Sequence, residues 1–304
     1  MKTAFLYDDI FLEHETPQWH PESKDRLIAI IKRLKNSPFW DRLIHVGFNK
    51  AGLEDVLLVH TPGYIERLKA FKEGYLDPDT YISERSVDVA LFAVGALKKA
   101  VELCREGAIK RVFCAVRPPG HHAEADRAMG FCIFNNVAIA SRYAQRLDYR
   151  KVFIVDFDVH HGNGTQYIFE EDDTVFYFST HQYPHYPGTG NASETGKGRG
   201  RGFTRNFPMT AGSGDREYLH IYKDILPEII SKFSPDVILV SAGYDIRSED
   251  PLSSIMISDD GIRGIVRSIL SFDLPIIFSL EGGYNLKALA DSVLITVEEM
   301  VGPN

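Results

Sequence analysis

Apolar runs of strand length alternate along this chain with longer stretches whose apolar positions recur at helical spacing. The runs 2–6, 111–116, 151–155, 174–178, 236–240 and 275–280 are rich in Val, Ile and Phe and almost unbroken in apolarity. That suits strands covered on both faces in a parallel sheet rather than strands with one wet face. The stretches 24–35, 62–72, 86–105, 135–147, 215–232, 258–272 and 286–300 read as helices. Strand–helix alternation predicts an α/β fold: a parallel, doubly wound sheet flanked by helices. Asp215, after Gly212-Ser213-Gly214, is the expected N-cap of one helix. The segment 181–207 shows neither period and carries Gly188, Gly190, Gly196, Gly198, Gly200 and Gly202, so it reads as a long functional or mobile loop. No repeat, low-complexity tract or linker interrupts the pattern, and a single domain over 1–304 is expected.

Composition narrows the function class. At 44% hydrophobic and 25% charged the chain is ordinary globular material with enough length for a large core. The net charge of -8 argues against a nucleic-acid surface. The basic run of Lys197, Arg199, Arg201 and Arg205 reads as solvated loop charge. Cys104, Cys114 and Cys132 are odd in number and lack C-x-x-C spacing, which fits a reducing compartment better than a disulfide framework. The start, Met1 to Asp8, turns acidic before a signal-like apolar run develops, and no stretch approaches the ~20 apolar residues of a membrane span. A cytoplasmic protein is expected.

The chemically unusual residues fall just after the predicted strands: Arg117-Pro118-Pro119-Gly120-His121-His122, Asp156-Phe157-Asp158-Val159-His160-His161-Gly162-Asn163, Ser241-Ala242-Gly243-Tyr244-Asp245 and Glu281-Gly282-Gly283-Tyr284-Asn285. Ligands of open parallel sheets bind beyond the carboxyl ends of the strands, so the four clusters should converge. In extended chain Asp156, Asp158 and His160 share one side, which aims two carboxylates and an imidazole at one point and suits a borderline metal. The plainer alternative is a helix cap with surface histidines. Asp245 could add a third ligand. Neighbouring side chains should diverge, so His121 and His122 read as two bases with separate partners, or as incidental loop histidines. Tyr284, behind two glycines that permit close or mobile backbone, could donate to a developing oxyanion or could simply pack.

Together these motifs resemble the histone deacetylase family, including its bacterial acetylpolyamine amidohydrolase and acetoin-utilisation relatives. The resemblance runs through His20-Pro21-Glu22 with Arg26, Val59-His60 with Tyr64, Arg117 to Ala123, Gly130-Phe131-Cys132, Asp156 to Gln166, Tyr186-Pro187-Gly188-Thr189-Gly190, Ser241 to Asp245 with Asp250-Pro251, and Glu281 to Tyr284. It implies the arginase/deacetylase-like fold and one zinc ion held by Asp158, His160 and Asp245. It makes His121 and His122 the tandem histidines, oriented by Asp156 and Asn163, and Tyr284 the transition-state tyrosine. Gly130, Phe131 and Tyr186 would line the tunnel for the acylated chain, with Asp79 as rim carboxylate. Potassium would sit near Asp156, Asp158, His160, Ser179 and Thr180. Asn163 matches the class II pattern of the family.

The reaction so implied is hydrolysis of an N-acetyl amide to acetate and amine. A two-metal ureohydrolase of the same fold would want further ligands where Gly162 and Arg247 stand, and a non-catalytic binder would not need His121, His122 and Tyr284 intact. Acetyl-lysine in a peptide and acetylated polyamines both fit as substrates. Polyamine-selective relatives place an acidic gatekeeper near the tunnel mouth, where this chain has Leu252, which tilts the expectation toward acetyl-lysine.

Overall fold

The structure is a computed structural model and describes residues 2–302. In chain order its strands are β1 (Thr3–Leu6), β2 (Ile44–His45), β3 (Gly74–Tyr75), β4 (Tyr81–Ile82), β5 (Arg111–Cys114), β6 (Val152–Asp156), β7 (Val175–Gln182), β8 (Thr204–Met209), β9 (Val237–Ala242) and β10 (Ile276–Leu280). Eight of them build one parallel sheet in the order β2-β1-β5-β10-β9-β6-β7-β8, while β3 and β4 pair as a small antiparallel ribbon. Every residue of β6, β9 and β10 is buried, as their unbroken apolarity predicts. Rings stack in register across the sheet: Phe5 on Phe113 at 5.9 Å and 8°, Phe113 on Phe278 at 6.3 Å and 14°. Such cross-strand pairs fix register, because a slip of one residue would turn every ring to the other face.

The flanking helices are α1 (Asp25–Lys35), α2 (Leu53–Val56), α3 (Pro62–Ala70), α4 (Ser86–Arg105), α5 (Asn136–Arg146), α6 (Asn163–Phe169), α7 (Asp215–His220), α8 (Leu226–Phe233), α9 (Asp259–Leu270) and α10 (Leu286–Val301). α1 packs on α10, α10 on α9, and α4 on α5. A π turn at Ile221–Ile225 joins α7 to α8, so the single helix expected over 215–232 is one element with an internal bulge.

Two local expectations are corrected. Segment 181–207 is not loop throughout: β7 runs on to Gln182, and β8 begins at Thr204. β8 is the sheet's edge, where Arg205 faces solvent and Pro208 is tolerated, so its alternation is blurred by charge and by the glycines before it. Asp215 is not the N-cap. Gly214 occupies that place, Glu217 accepts from the Gly214 N–H at 3.0 Å, and Asp215 instead accepts from the Ser258 N–H at 2.9 Å. α6 starts inside the Asp156–Gln166 motif and is too short for periodicity to reveal.

His60 pins the long loop before α5 to the start of α3. Its Nδ1–H donates to Glu124 O at 2.9 Å, and its Nε2 accepts from the Asn135 N–H at 2.9 Å, which specifies a neutral imidazole. Burial lowers its pKa to about 4, and it does the same to His181. An unfolded histidine titrates near 6.5. Between those values the unfolded chain binds more protons, so stability is complete above about pH 6.5 and falls as pH drops toward 4. Each such histidine contributes up to roughly 1.4 kcal/mol per pH unit to that slope. Urea unfolding of His60→Gln should therefore show a shallower loss of stability from pH 6.5 to 4.5; an unchanged slope would exclude this role.

Candidate functional site

β6, β9 and β10 lie side by side and end level, with Asp156 opposite Ser241 and Ser279 opposite Ser241 in register. Beyond Asp156 the chain stays extended enough to keep its alternation. Phe157 and Val159 enter the core, while Asp158 and His160 turn the other way. Asp245 arrives from the turn after β9. One ligand atom from each of Asp158, His160 and Asp245 lies within 4.8 Å of the others, and all three residues are buried. His160 Nδ1 stands 3.1 Å from Asp158 Oδ1 and 3.1 Å from Asp245 Oδ2.

Main-chain amides aim these carboxylates. Val159 N–H donates to Asp245 Oδ1 at 2.9 Å, His160 N–H to Asp158 Oδ1 at 2.9 Å, and Gly282 N–H to Asp158 Oδ2 at 2.8 Å. Burial, and then the charge of Asp158, push Asp245 up to about 7. Burial alone would lower His160, but Asp158 and Asp245 outweigh it and raise it to about 10. Two carboxylates drawn together against their repulsion, with one imidazole, form a donor set that fits a divalent cation of borderline character.

His121 and His122 do not diverge as expected. Their rings lie side by side, 4.1 Å between centroids, because the chain reverses here and both face the same pocket. Their partners are separate, as read from the sequence. His121 Nδ1 meets Asp156 Oδ2 at 3.1 Å, and Tyr177 OH donates to the same oxygen at 3.0 Å. His122 Nδ1 meets Asn163 Oδ1 at 2.8 Å, and Asn163 in turn donates to Glu124 Oε1 at 2.8 Å. An amide oxygen only accepts, so His122 carries its proton on Nδ1 and presents a bare Nε2. Burial would lower His121, but the Asp158 and Asp156 carboxylates override it and lift it to about 10. Burial, with His121 and His160 beside it, holds His122 well below the usual histidine range. One imidazole is thus charged and its neighbour neutral.

These groups open onto a pocket of about 230 Å³. Phe131, Tyr186 and Tyr284 form its aromatic walls, with Tyr186 edge-on to His122 at 5.2 Å and Phe131 edge-on to Tyr284 at 5.9 Å. Asp79 and Leu252 line it as well. Asp79 Oδ1 accepts from the Gly130 N–H at 3.1 Å, and burial, then Asp77, push its carboxyl up to about 6. Gly130 also lines the pocket, at φ 57°, where a Cβ would collide with the His122 ring. Phe131 follows at φ 67°, a left-handed conformation that a bulky residue adopts only when its surroundings compel it. The loop behind Tyr284 is closely approached rather than free, as the glycines left open: a Cβ on Gly282 would overlap the carboxylates of Asp245 and Asp158. Ser179 and Thr180 are buried on β7, with Ser179 beside Asp156 in register. Their hydroxyls pair with His181 and Tyr222.

The model described as the histone deacetylase domain matches residues 20–300. The chain belongs to the histone deacetylase family. Within it, the chain is 45% identical to a "Probable deacetylase" of Methanothermobacter thermautotrophicus, over 90% of this chain and 83% of that protein. It is 35% identical to a "Probable deacetylase" of Archaeoglobus fulgidus, over 99% and 87%. It is 36% identical to "Histone deacetylase 5" of Arabidopsis thaliana over 99% of its own length, and spans about half of that longer plant protein. The crystal structure titled "HDA15 HD domain" superposes with a TM-score of 0.95 at 35% identity, covering 99% of this chain and 91% of that one. The arginase-like deacetylase architecture expected from the motifs is therefore the observed one.

Family membership also gives context to residues that sequence reading left without a role. His185 lines the pocket, its ring stacked on His160 at 5.2 Å and 19° and its Nε2 3.0 Å from Leu252 O. Its one signal was its place directly before Tyr186. Glu281 accepts from the Gly120 N–H at 2.6 Å and the His121 N–H at 3.2 Å, so β10 holds the loop that carries both histidines. Glu22, Arg26 and Arg117 form a fully buried ionic group behind it, with Arg117 Nε 2.6 Å from Glu22 Oε1. Among the described residues no helix is long and apolar enough to cross a membrane, and the three cysteines are free and buried.

Gly282 is at the same time backbone donor and spacer for two of the three converging groups. Gly282→Ala should fold, since its φ is not in the left-handed region, yet lose about 10- to 100-fold in affinity for a divalent metal. Titration of the metal-stripped protein with zinc checks this; native affinity would show that the carboxylates can move aside.

Proposed function

We propose that this histone deacetylase-family chain is a zinc-dependent deacetylase that hydrolyses N-acetylated amines, acetyl-lysine-type substrates first, to acetate and free amine. The observation that carries the reading is the buried group of Asp158, His160 and Asp245 beside an unprotonated His122 Nε2 at the end of an aromatic pocket. Asp158, His160 and Asp245 would hold the zinc. When bound, it would polarise the acyl carbonyl and make a water more acidic.

The chain's own groups do the rest. Phe131 and Tyr186 flank the acylated side chain and exclude bulk water, and Asp79 offers a carboxylate at the rim for a substrate N–H. His122 Nε2 takes a proton from the attacking water as the new C–O bond forms. The same nitrogen then returns that proton to the amine as the C–N bond breaks, so no net proton is left on the enzyme. His121, held charged by Asp158 and Asp156, adds positive potential without giving up its proton. The Tyr284 hydroxyl donates to the carbonyl oxygen as negative charge develops there. Potassium near Asp156, Asp158, His160, Ser179 and Thr180 belongs to the same reading. The buried free thiols support a reducing compartment, the cytoplasm.

A two-metal ureohydrolase is disfavoured by Arg247, which is buried and bound to Ser292 Oγ at 2.8 Å and Ile257 O at 3.1 Å, where a second metal would need a ligand. Acetylated polyamines remain the second substrate reading, because Asp77 and Asp79 put carboxylate charge near the mouth.

Two measurements test this. In Tyr284→Phe of the zinc-loaded protein, turnover of an acetyl-lysine peptide should fall about 100- to 1000-fold with little change in zinc content or stability; near-native turnover would reduce Tyr284 to packing. In Leu252→Glu, the ratio of kcat/KM for acetylated polyamine over acetyl-lysine peptide should rise, since a carboxylate at the mouth attracts the second ammonium. An unchanged ratio would remove residue 252 from the substrate path.

A further inference from the structure

The Asp250-Pro251 pair belongs to the motif set but has no part in the reaction set out above. We infer that Asp250 is a positioning residue: its carboxylate fixes the main chain on which Tyr284 stands and ties it to the loop carrying Leu252. The inference rests on the role proposed for Tyr284.

Asp250 is 6% exposed and accepts three main-chain hydrogen bonds. Its Oδ2 takes the Tyr284 N–H at 2.6 Å and the Asn285 N–H at 3.3 Å, and its Oδ1 takes the Leu252 N–H at 2.9 Å. From the opposite side Arg26 Nε donates to Gly283 O at 2.7 Å, and another guanidinium N–H of Arg26 reaches Glu281 O at 2.5 Å. Tyr244 N–H holds Gly282 O at 3.0 Å. Arg26 thus grips the carbonyls of Glu281 and Gly283, and Asp250 grips the amides that follow.

The segment needs such a grip. Gly283 sits at φ 117°, and two successive glycines lose more backbone freedom on ordering than any other pair. The Tyr284 ring touches Phe131 on one side and the Arg26 guanidinium, 5.1 Å from its centroid, on the other. Those contacts set the ring's tilt but not its height in the pocket. A main-chain shift at residue 284 carries straight to the phenol oxygen, and misplacement on the order of 1 Å can cost about 100-fold in rate.

A plainer role exists for the same carboxylate. Asn285 is the N-cap of α10, its side chain accepting from the Ala288 N–H, and an anion at a helix N-terminus stabilises the helix. A cap would register in stability and not in turnover.

The test compares Asp250→Asn with the parent, in the native and the Tyr284→Phe backgrounds, using zinc-loaded protein and an acetyl-lysine peptide. Asn keeps the shape and one acceptor, so folding is retained, whereas Asp250→Ala would leave three main-chain amides without their acceptor. We expect kcat to fall about 10- to 100-fold, with KM and zinc content little changed. In Tyr284→Phe the same substitution should have little further effect, because the hydroxyl it positions is gone. Hydrogen exchange at the Tyr284 and Asn285 amides should also accelerate in Asp250→Asn. Native kcat with a lowered melting temperature would make Asp250 a helix cap only. Equal losses in both backgrounds would show that it acts apart from Tyr284. Either result overturns the inference while leaving the deacetylase reading intact, whereas native turnover in Tyr284→Phe alone would remove that reading's oxyanion donor and this role together.

Discussion

Four carboxylates, those of Asp156, Asp158, Asp245 and Glu281, are buried at the ends of three adjacent apolar strands, and the surrounding structure is organised around making that burial tolerable. A charge removed from water without partners is among the costliest things a fold can contain. Here each has partners supplied by a different part of the chain. Asp156 has His121 and Tyr177, and Asp158 and Asp245 have successive backbone amides and His160. Glu281 has the amides of Gly120 and His121 and the hydroxyl of Ser241. The glycines at 243 and 282 follow from the same constraint, since any side chain there would occupy the carboxylates' space. A site with so many interlocking partners is held before any ligand arrives, which is what electrostatic catalysis requires.

The tandem histidines show how little sequence is needed to give two neighbouring imidazoles different charge states. Each imidazole meets an oxygen through Nδ1, but Asp156 offers a full charge and Asn163 a dipole. Asp158 and then Asp156 favour imidazolium at His121, while Asn163 merely fixes a tautomer at His122 and leaves burial to keep that ring neutral. The difference between a charged and a neutral imidazole lies in the surrounding groups rather than in the histidines themselves.

The central strands and most helices were legible in the chain because their apolar periods are strong and burial on both faces leaves no ambiguity. The convergence of the four clusters was legible too, since strand ends in a parallel sheet share one rim. What escaped has physical reasons. β8 is an edge strand whose pattern is broken by Arg205 and Pro208. The helix α6 is seven residues long, below the length at which a period can be counted. The paired orientation of His121 and His122 depends on a chain reversal that spacing does not encode, and His185 touches the pocket only because the loop after β7 folds back over His160.

The order of strands in the sheet has a bearing on how the chain is made. β10, the last strand in sequence, lies between β5 and β9, near the middle of the sheet. Until residues 276–280 leave the ribosome, the chain can pair β2-β1-β5 on one side and β9-β6-β7-β8 on the other, but the two halves have no strand to join them. Each would show an open, apolar edge at the future centre of the molecule, the kind of surface to which a second nascent chain can add. Synthesis from the amino end therefore leaves the two halves waiting on β10 for closure. A chaperone that shields those two edges would act at the stage when the other seven strands of the sheet are made and its centre is least protected.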